Sequence, residues 1–148
     1  MSRREFRLRS VLSVRRRELD AAQARLADEM RKKARAVQMR EHHLARLHAA
    51  SQRLHERLRH GAPAAMLRAV DGAMETAYAS ALRASDLADT LDHAIAAARA
   101  AVTDAKKKAS SIEILEERFR ERARTDRMKN EQKRLDDVAN RESGGVFG

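Results

Sequence analysis

The chain has no cysteine, no tryptophan, one proline and five glycines, and aromatic residues fill only 3% of its 148 positions. Each scarcity excludes something. Without Cys there is no disulfide scaffold, no thiolate zinc site and no thiol nucleophile, and a reducing compartment fits. Gly and Pro are too few for the many turns of a β-sandwich or barrel. A compact globule of this length would need more large side chains than three Phe and one Tyr supply. No apolar run approaches the ~18 residues of a membrane span, and the basic N-terminus lacks the apolar stretch of a signal peptide. There is no P-loop, no dinucleotide-binding glycine fingerprint and no HExxH pair, so neither an enzyme nor a cofactor site is expected.

What is present is charge, Ala and Leu. The formal net charge is +10, from 32 Lys+Arg against 22 Asp+Glu, and it is unevenly placed. Residues 1–60 hold 17 basic and 7 acidic residues, residues 61–105 hold 3 and 6, and residues 106–148 hold 12 and 9. A basic strip beside a mildly acidic one fits two helices that attract each other, or a basic surface awaiting an acidic partner.

One strong breaker interrupts the chain, Gly61-Ala62-Pro63. Gly supplies a helix C-cap and Pro is tolerated at the start of the next helix. The spacing predicts an all-α hairpin: a helix over about 4–59, a turn at about 60–63 and a helix over about 64–141, with residues 1–142 a single antiparallel coiled coil and 143–148 a flexible tail. Sixteen positions from Leu67 to Phe119, in strict 3-4 spacing, are apolar except for Glu116, and seven of them are Ala. That is a heptad seam whose small residues let a partner helix approach closely.

The first helix carries a weaker seam of Leu12, Leu19, Leu26, Met30, Val37, Leu44, Leu47, Leu54 and Leu58. It is interrupted by Arg9, Arg16, Gln23, Lys33, Arg40 and Ser51. In an antiparallel pair, facing residue numbers add to a constant. With this seam the sum is 121 or 128, and 121 is preferred because Arg16, Gln23, Lys33 and Arg40 then meet Ala, past which a long stem reaches water. It also pairs Leu54 with Leu67, Met30 with Leu91, Leu26 with Ile95 and Leu19 with Val102, while Val37 and Ile112 complete the seam. The second helix then outruns the first, and about Arg120 to Arg141 projects alone, ~33 Å at 1.5 Å per residue. Opposite charges such as Glu131 and Arg134 support a solvated helix there. Its thin apolar line, Ala123, Met128, Leu135 and Val138, is of the kind that docks partners. The seam closes within one chain or swaps between two; the sequence leaves both open.

Other groupings are weaker. Five His (42, 43, 48, 55, 60) fall in the first helix, but no second ligand set stands at metal spacing, and they read as a solvated face. Asp86, Asp89 and Asp92 share a face and read as partners for the basic first helix, not as acid–base catalysts, since nothing supplies a cleft. Arg3-Arg4, Arg15-Arg16-Arg17 and Arg31-Lys32-Lys33 could contact phosphates, yet stacking aromatics are nearly missing and the cations are interleaved with acids, so nucleic-acid binding is the weaker alternative. Phe6, Leu8, Val11 and Leu12 among arginines have amphipathic character, but they are too few for direct membrane insertion.

Two stretches carry a resemblance. The opening FRLRSVLSVRRRELDAAQARLA and the close LEERFRERARTDRMKNEQKRLDDVANRE resemble the corresponding ends of the flagellar FliJ family. The length, the single central break and the lack of Cys fit as well. The stalk proteins of virulence type III secretion systems share the architecture and stay as an alternative. The resemblance implies an antiparallel coiled coil similar to the central stalk of rotary ATPases. It implies a terminal end that enters the hexameric export ATPase, a hairpin end that meets the membrane export gate, and in some members the handling of unloaded export chaperones. Carried onto this sequence, the ATPase-ring contacts would be Phe6, Leu8, Val11, Leu12, Phe119, Arg122, Met128, Leu135 and Val138. The gate contacts would be Met39, His43, Leu47, Met74 and Tyr78. The implied location is cytoplasmic, peripheral to the cell membrane.

Overall fold

A computed structural model describes residues 3–146. It is a helical hairpin of two helices, α1 (Arg3–His60) and α2 (Ala64–Val146), with no strand among the described residues. The break between them behaves as its residues require. Gly61 has φ +69°, the left-handed conformation in which Gly commonly ends a helix. The Pro63 carbonyl accepts hydrogen bonds from the N–H groups of Met66 (3.0 Å) and Leu67 (3.2 Å), which opens α2. Hydroxyl residues inside α2 are accommodated locally. Thr76, Thr90, Thr103 and Thr125 each donate to the carbonyl four residues earlier.

The end of α2 corrects the sequence reading. The helix continues through Gly144 and Gly145 to Val146 instead of stopping near 141. Glycine is penalised in a helix by about 1 kcal/mol for entropy, not by steric exclusion, so two of them weaken a last turn without forbidding it. Phe147 and Gly148, the rest of the expected tail, lie outside the described residues.

The chain divides into two compact units, each made of one stretch of α1 and one of α2. One joins the chain up to Leu19 with the chain from Asp104 onward; the other is Asp20–Thr103. In both, all sixteen α2 seam positions are buried or half-buried. In α1 the buried and half-buried positions from Glu5 to Leu54 include an unbroken 3-4 series: Glu5, Leu8, Leu12, Arg15, Leu19, Ala22, Leu26, Glu29, Lys33, Ala36, Arg40, His43, Leu47, Ala50 and Leu54. Half of this series differs from the predicted seam. The lines through Leu12 and Leu26 coincide, but the second line runs through Arg15, Ala22, Glu29, Ala36, His43 and Ala50. On the line predicted instead, Met30, Leu44 and Leu58 are exposed, while Val37 is half-buried as a seam residue should be.

The register changes with it. Ala36, Ala88 and Leu91 form a buried cluster with Val37 packed against it. Facing numbers such as Ala36 with Ala88, or Lys33 with Leu91, add to 124, and this sum pairs every position of the α1 series with one of the α2 series. Neither 121 nor 128 does so. In the Asp20–Thr103 unit the layers are Leu54 with Val70, Leu47 with Ala77, Leu26 with Ala98 and Ala22 with Val102. In the other unit Leu19 meets Ala105, Leu12 meets Ile112 and Leu8 meets Glu116.

Of the twelve buried hydrophobic residues, nine are Ala; the others are Leu12, Leu91 and Ile95. Ala on one helix lets the other carry long polar side chains in the seam with their ends in water. Arg15, Arg40 and His43 each face an Ala of α2, at 109, 84 and 81. Lys33 reaches over Leu91 to pair with Asp92.

Candidate functional site

No described residue is a buried charge, and no group of three or more His, Cys, Asp or Glu suited to a metal occurs among the described residues. Among the described residues no helix is long and apolar enough to cross a membrane. The candidate sites are therefore surfaces: exposed apolar side chains that the hairpin leaves unpacked.

The first surface belongs to the unit that joins the chain start to the end of α2. With the register above, Arg3 faces Glu121 and α1 then runs out. From Arg124 to Gly145 every α2 residue is exposed, about 33 Å of helix at 1.5 Å per residue. Met128 is 71%, Leu135 63% and Val138 52% exposed. Phe6 is 66% exposed at the neighbouring start of α1, and Val11, Val14, Ile114 and Leu115 are exposed with it. Arg122 is exposed. Leu12, in contrast, is buried, and Leu8 and Phe119 are half-buried in the seam. In the hairpin these three pack in the seam between the helices. Three ion pairs near this end are Arg9–Glu116 (3.9 Å), Arg16–Glu113 (3.5 Å) and Arg120–Glu116 (2.7 Å). All involve side chains more than half exposed on at least one partner, so each contributes little to stability.

The second surface lies on the Asp20–Thr103 unit. Of the residues assigned to a gate contact, Met39 and Tyr78 are exposed, at 51% and 59%. His43, Leu47 and Met74 are half-buried seam residues. The structure does not bring the two exposed residues together. Met39 lines a groove on one flank with Ser80, Arg83 and Leu87. The other flank is lined by Met30, Lys33, Val37, Asp92 and Arg99, and Tyr78, next after the seam residue Ala77, lies on the same line, fourteen residues before Asp92 and twenty-one before Arg99. His43 Nδ1 is buried without a hydrogen-bond partner, and its ring meets His42 edge-on at 5.4 Å.

Leu87 and Leu82, 53% and 51% exposed, were not anticipated. Both sit beside seam positions, where their flank is assigned only once the register is known. Of the three regularly spaced Asp residues, Asp92 alone pairs with α1. The basic runs are largely neutralised locally: Arg15 by Glu18, Arg31 and Lys32 by Asp28, Lys33 by Asp92. Within those runs, that leaves no unbroken cationic strip of the kind that favours a phosphate backbone.

A family model described as "Flagellar FliJ protein" matches residues 4–145, nearly the whole chain. No curated protein and no solved structure matches.

Proposed function

Because the chain belongs to the flagellar FliJ protein family, a family of flagellar protein export, we propose that it is a non-catalytic stalk component that docks into the export ATPase hexamer. The observation that carries this reading is the bare stretch of α2 from Arg124 to Gly145. It presents Met128, Leu135 and Val138 to solvent beside the exposed Phe6 and Val11 at the start of α1. A helix with an unpacked apolar line gains by burying it in a partner's groove. The mechanism is a population shift. The stalk would bind one closed arrangement of ring subunits better than the others and so favour it; differential affinity is all that it needs to supply. The membrane export gate is proposed as a second partner, at the exposed Met39 or Tyr78. Unloaded export chaperones are a third; contact with the gate would hold the protein at the cytoplasmic side of the membrane.

The test is ATP turnover by the purified flagellar export ATPase with and without this protein. Stimulation is expected, and it should be lost with Leu135→Glu while the helical signal in circular dichroism is unchanged. No stimulation and no co-purification would defeat the reading.

A further inference from the structure

The two flanks of the Asp20–Thr103 unit differ in chemistry. On the Met39 flank, α1 repeats Arg25, Lys32, Met39, Arg46 and Arg53 at seven-residue intervals, all exposed. Four of five are cations, and the apolar one sits in the middle. Lys32 is engaged by Asp28 and Glu29; its hydrogen bond to Asp28, then the charge of Glu29, hold its pKa above the ordinary value. Arg25, Arg46 and Arg53 make no ion pair among the described residues.

The opposite wall is of another kind. The α2 positions along it at the same spacing are Ala73, Ser80, Leu87, Ala94 and Ala101, small or apolar and without charge. Between the walls lies an open groove of about 480 Å³, floored by Ala36, Ala84 and Leu91 and flanked by Arg35 and Arg83. No carboxylate lines it. The other flank mixes signs, with Lys33 and Arg99 beside Asp92.

We propose that this groove docks an acidic amphipathic helix of a partner protein, which lies along the hairpin as a third helix. An apolar stripe would cover Met39, Ala84 and Leu87, and a row of carboxylates beside it would face Arg25, Arg46 and Arg53. Two antiparallel helices with Ala-rich facing positions leave a shallow trough into which a third helix fits its i, i+4, i+7 side chains. The seven-residue repeat of cations matches the repeat of such a helix. The groove shares Met39 with the surface proposed for the export gate, and the inference rests on that reading only in placing a partner in this region. A gate segment that binds here through basic residues would defeat the inference and leave that reading standing.

The experiment uses the full chain and a synthetic fluorescent helix of about five turns, with Leu along one stripe and Glu beside it. A second peptide carries Lys in place of every Glu. Fluorescence anisotropy is expected to show binding of the Glu peptide that weakens with salt, and binding of the Lys peptide at least about tenfold weaker. Leu87→Glu, or Arg46→Glu with Arg53→Glu, should weaken the Glu peptide by about tenfold or more, whereas Leu82→Glu should leave it unchanged. All four positions are exposed, and melts followed by circular dichroism check that the variants fold. Equal binding of the Lys peptide, or equal effects of Leu82→Glu and Leu87→Glu, would overturn the proposal. So would a sedimenting dimer that Leu87→Glu abolishes, which assigns the groove to a second copy. Capture by phosphatidylglycerol vesicles that depends on Leu87, with no peptide binding, would also overturn it.

Discussion

A disulfide between positions 36 and 88 tests the register at its best-packed layer. Ala36 and Ala88 are 4% and 3% exposed and belong to one buried cluster. With Ala36→Cys and Ala88→Cys the Cβ atoms are positioned to face each other, and a disulfide needs them about 3.5–4.5 Å apart. Replacing the sum of 124 by 121 or 128 slides one helix along the other by three or four residues, about 4.5–6 Å at 1.5 Å per residue, which is too far for the same pair to close. The bond would close a loop of about 52 residues. Chain entropy then gives about 4 kcal/mol of stabilisation, which the oxidised protein loses on reduction. Mobility on non-reducing gels and thermal melts with and without reductant read both effects. Rapid oxidation of 36/88 within one chain, with a higher Tm, is expected. Faster closure of Leu26→Cys with Ile95→Cys, or of Leu26→Cys with Val102→Cys, would refute the register, since these report sums of 121 and 128. Interchain bonds at 36/88 would instead show a seam swapped between two copies.

Three further outcomes follow from the same packing. Ile95→Ala should cost about 2–4 kcal/mol in urea unfolding, because Ile95 is one of the few large buried side chains, whereas Leu135→Ala should stay within about 0.5 kcal/mol. Gly61→Ala should destabilise by about 1 kcal/mol, since the residue holds φ +69° and nothing surrounds it that a methyl group would pack against. A double-mutant cycle on Lys33 and Asp92, both about half exposed, should give less than about 1 kcal/mol of coupling, reduced further by salt.

The α2 seam was legible in full: fifteen apolar residues and one Glu at 3-4 spacing are all buried or half-buried in the hairpin. The α1 seam was legible by half. Apolarity pointed to Met30, Leu44 and Leu58, yet the face toward α2 carries Arg15, Glu29 and His43 instead. Opposite a helix whose seam is mostly Ala, a seam position needs little apolar volume, and a long charged side chain fits as well as Met. Hydrophobic pattern therefore loses its discriminating power on that helix.

The turn held the missing information. A connection of three residues, Gly61 to Pro63, is centred on Ala62, and twice 62 is 124. Centring the turn at Gly61 and its predecessor gives 121. The overhang of α2 was legible from helix lengths, although it starts a few residues later than the decay of the seam implied. The docking residues were less legible, because a heptad assignment that errs on one helix moves residues between seam and surface. Leu8 joins the seam only once that shift on α1 is made, whereas Leu12 and Phe119 stand in the seam by spacing and are assigned to the ATPase ring only by the family resemblance.

The central claim is that the bare end of α2 enters the export ATPase. The most direct measurement is photocrosslinking of the full chain to that ATPase with a benzophenone side chain placed at Leu135 or, as the contrast, at Leu82. ATPase adducts are expected from position 135 and none from 82. Adducts from 82 alone, or none from either position in a mixture that turns over ATP, would contradict the claim.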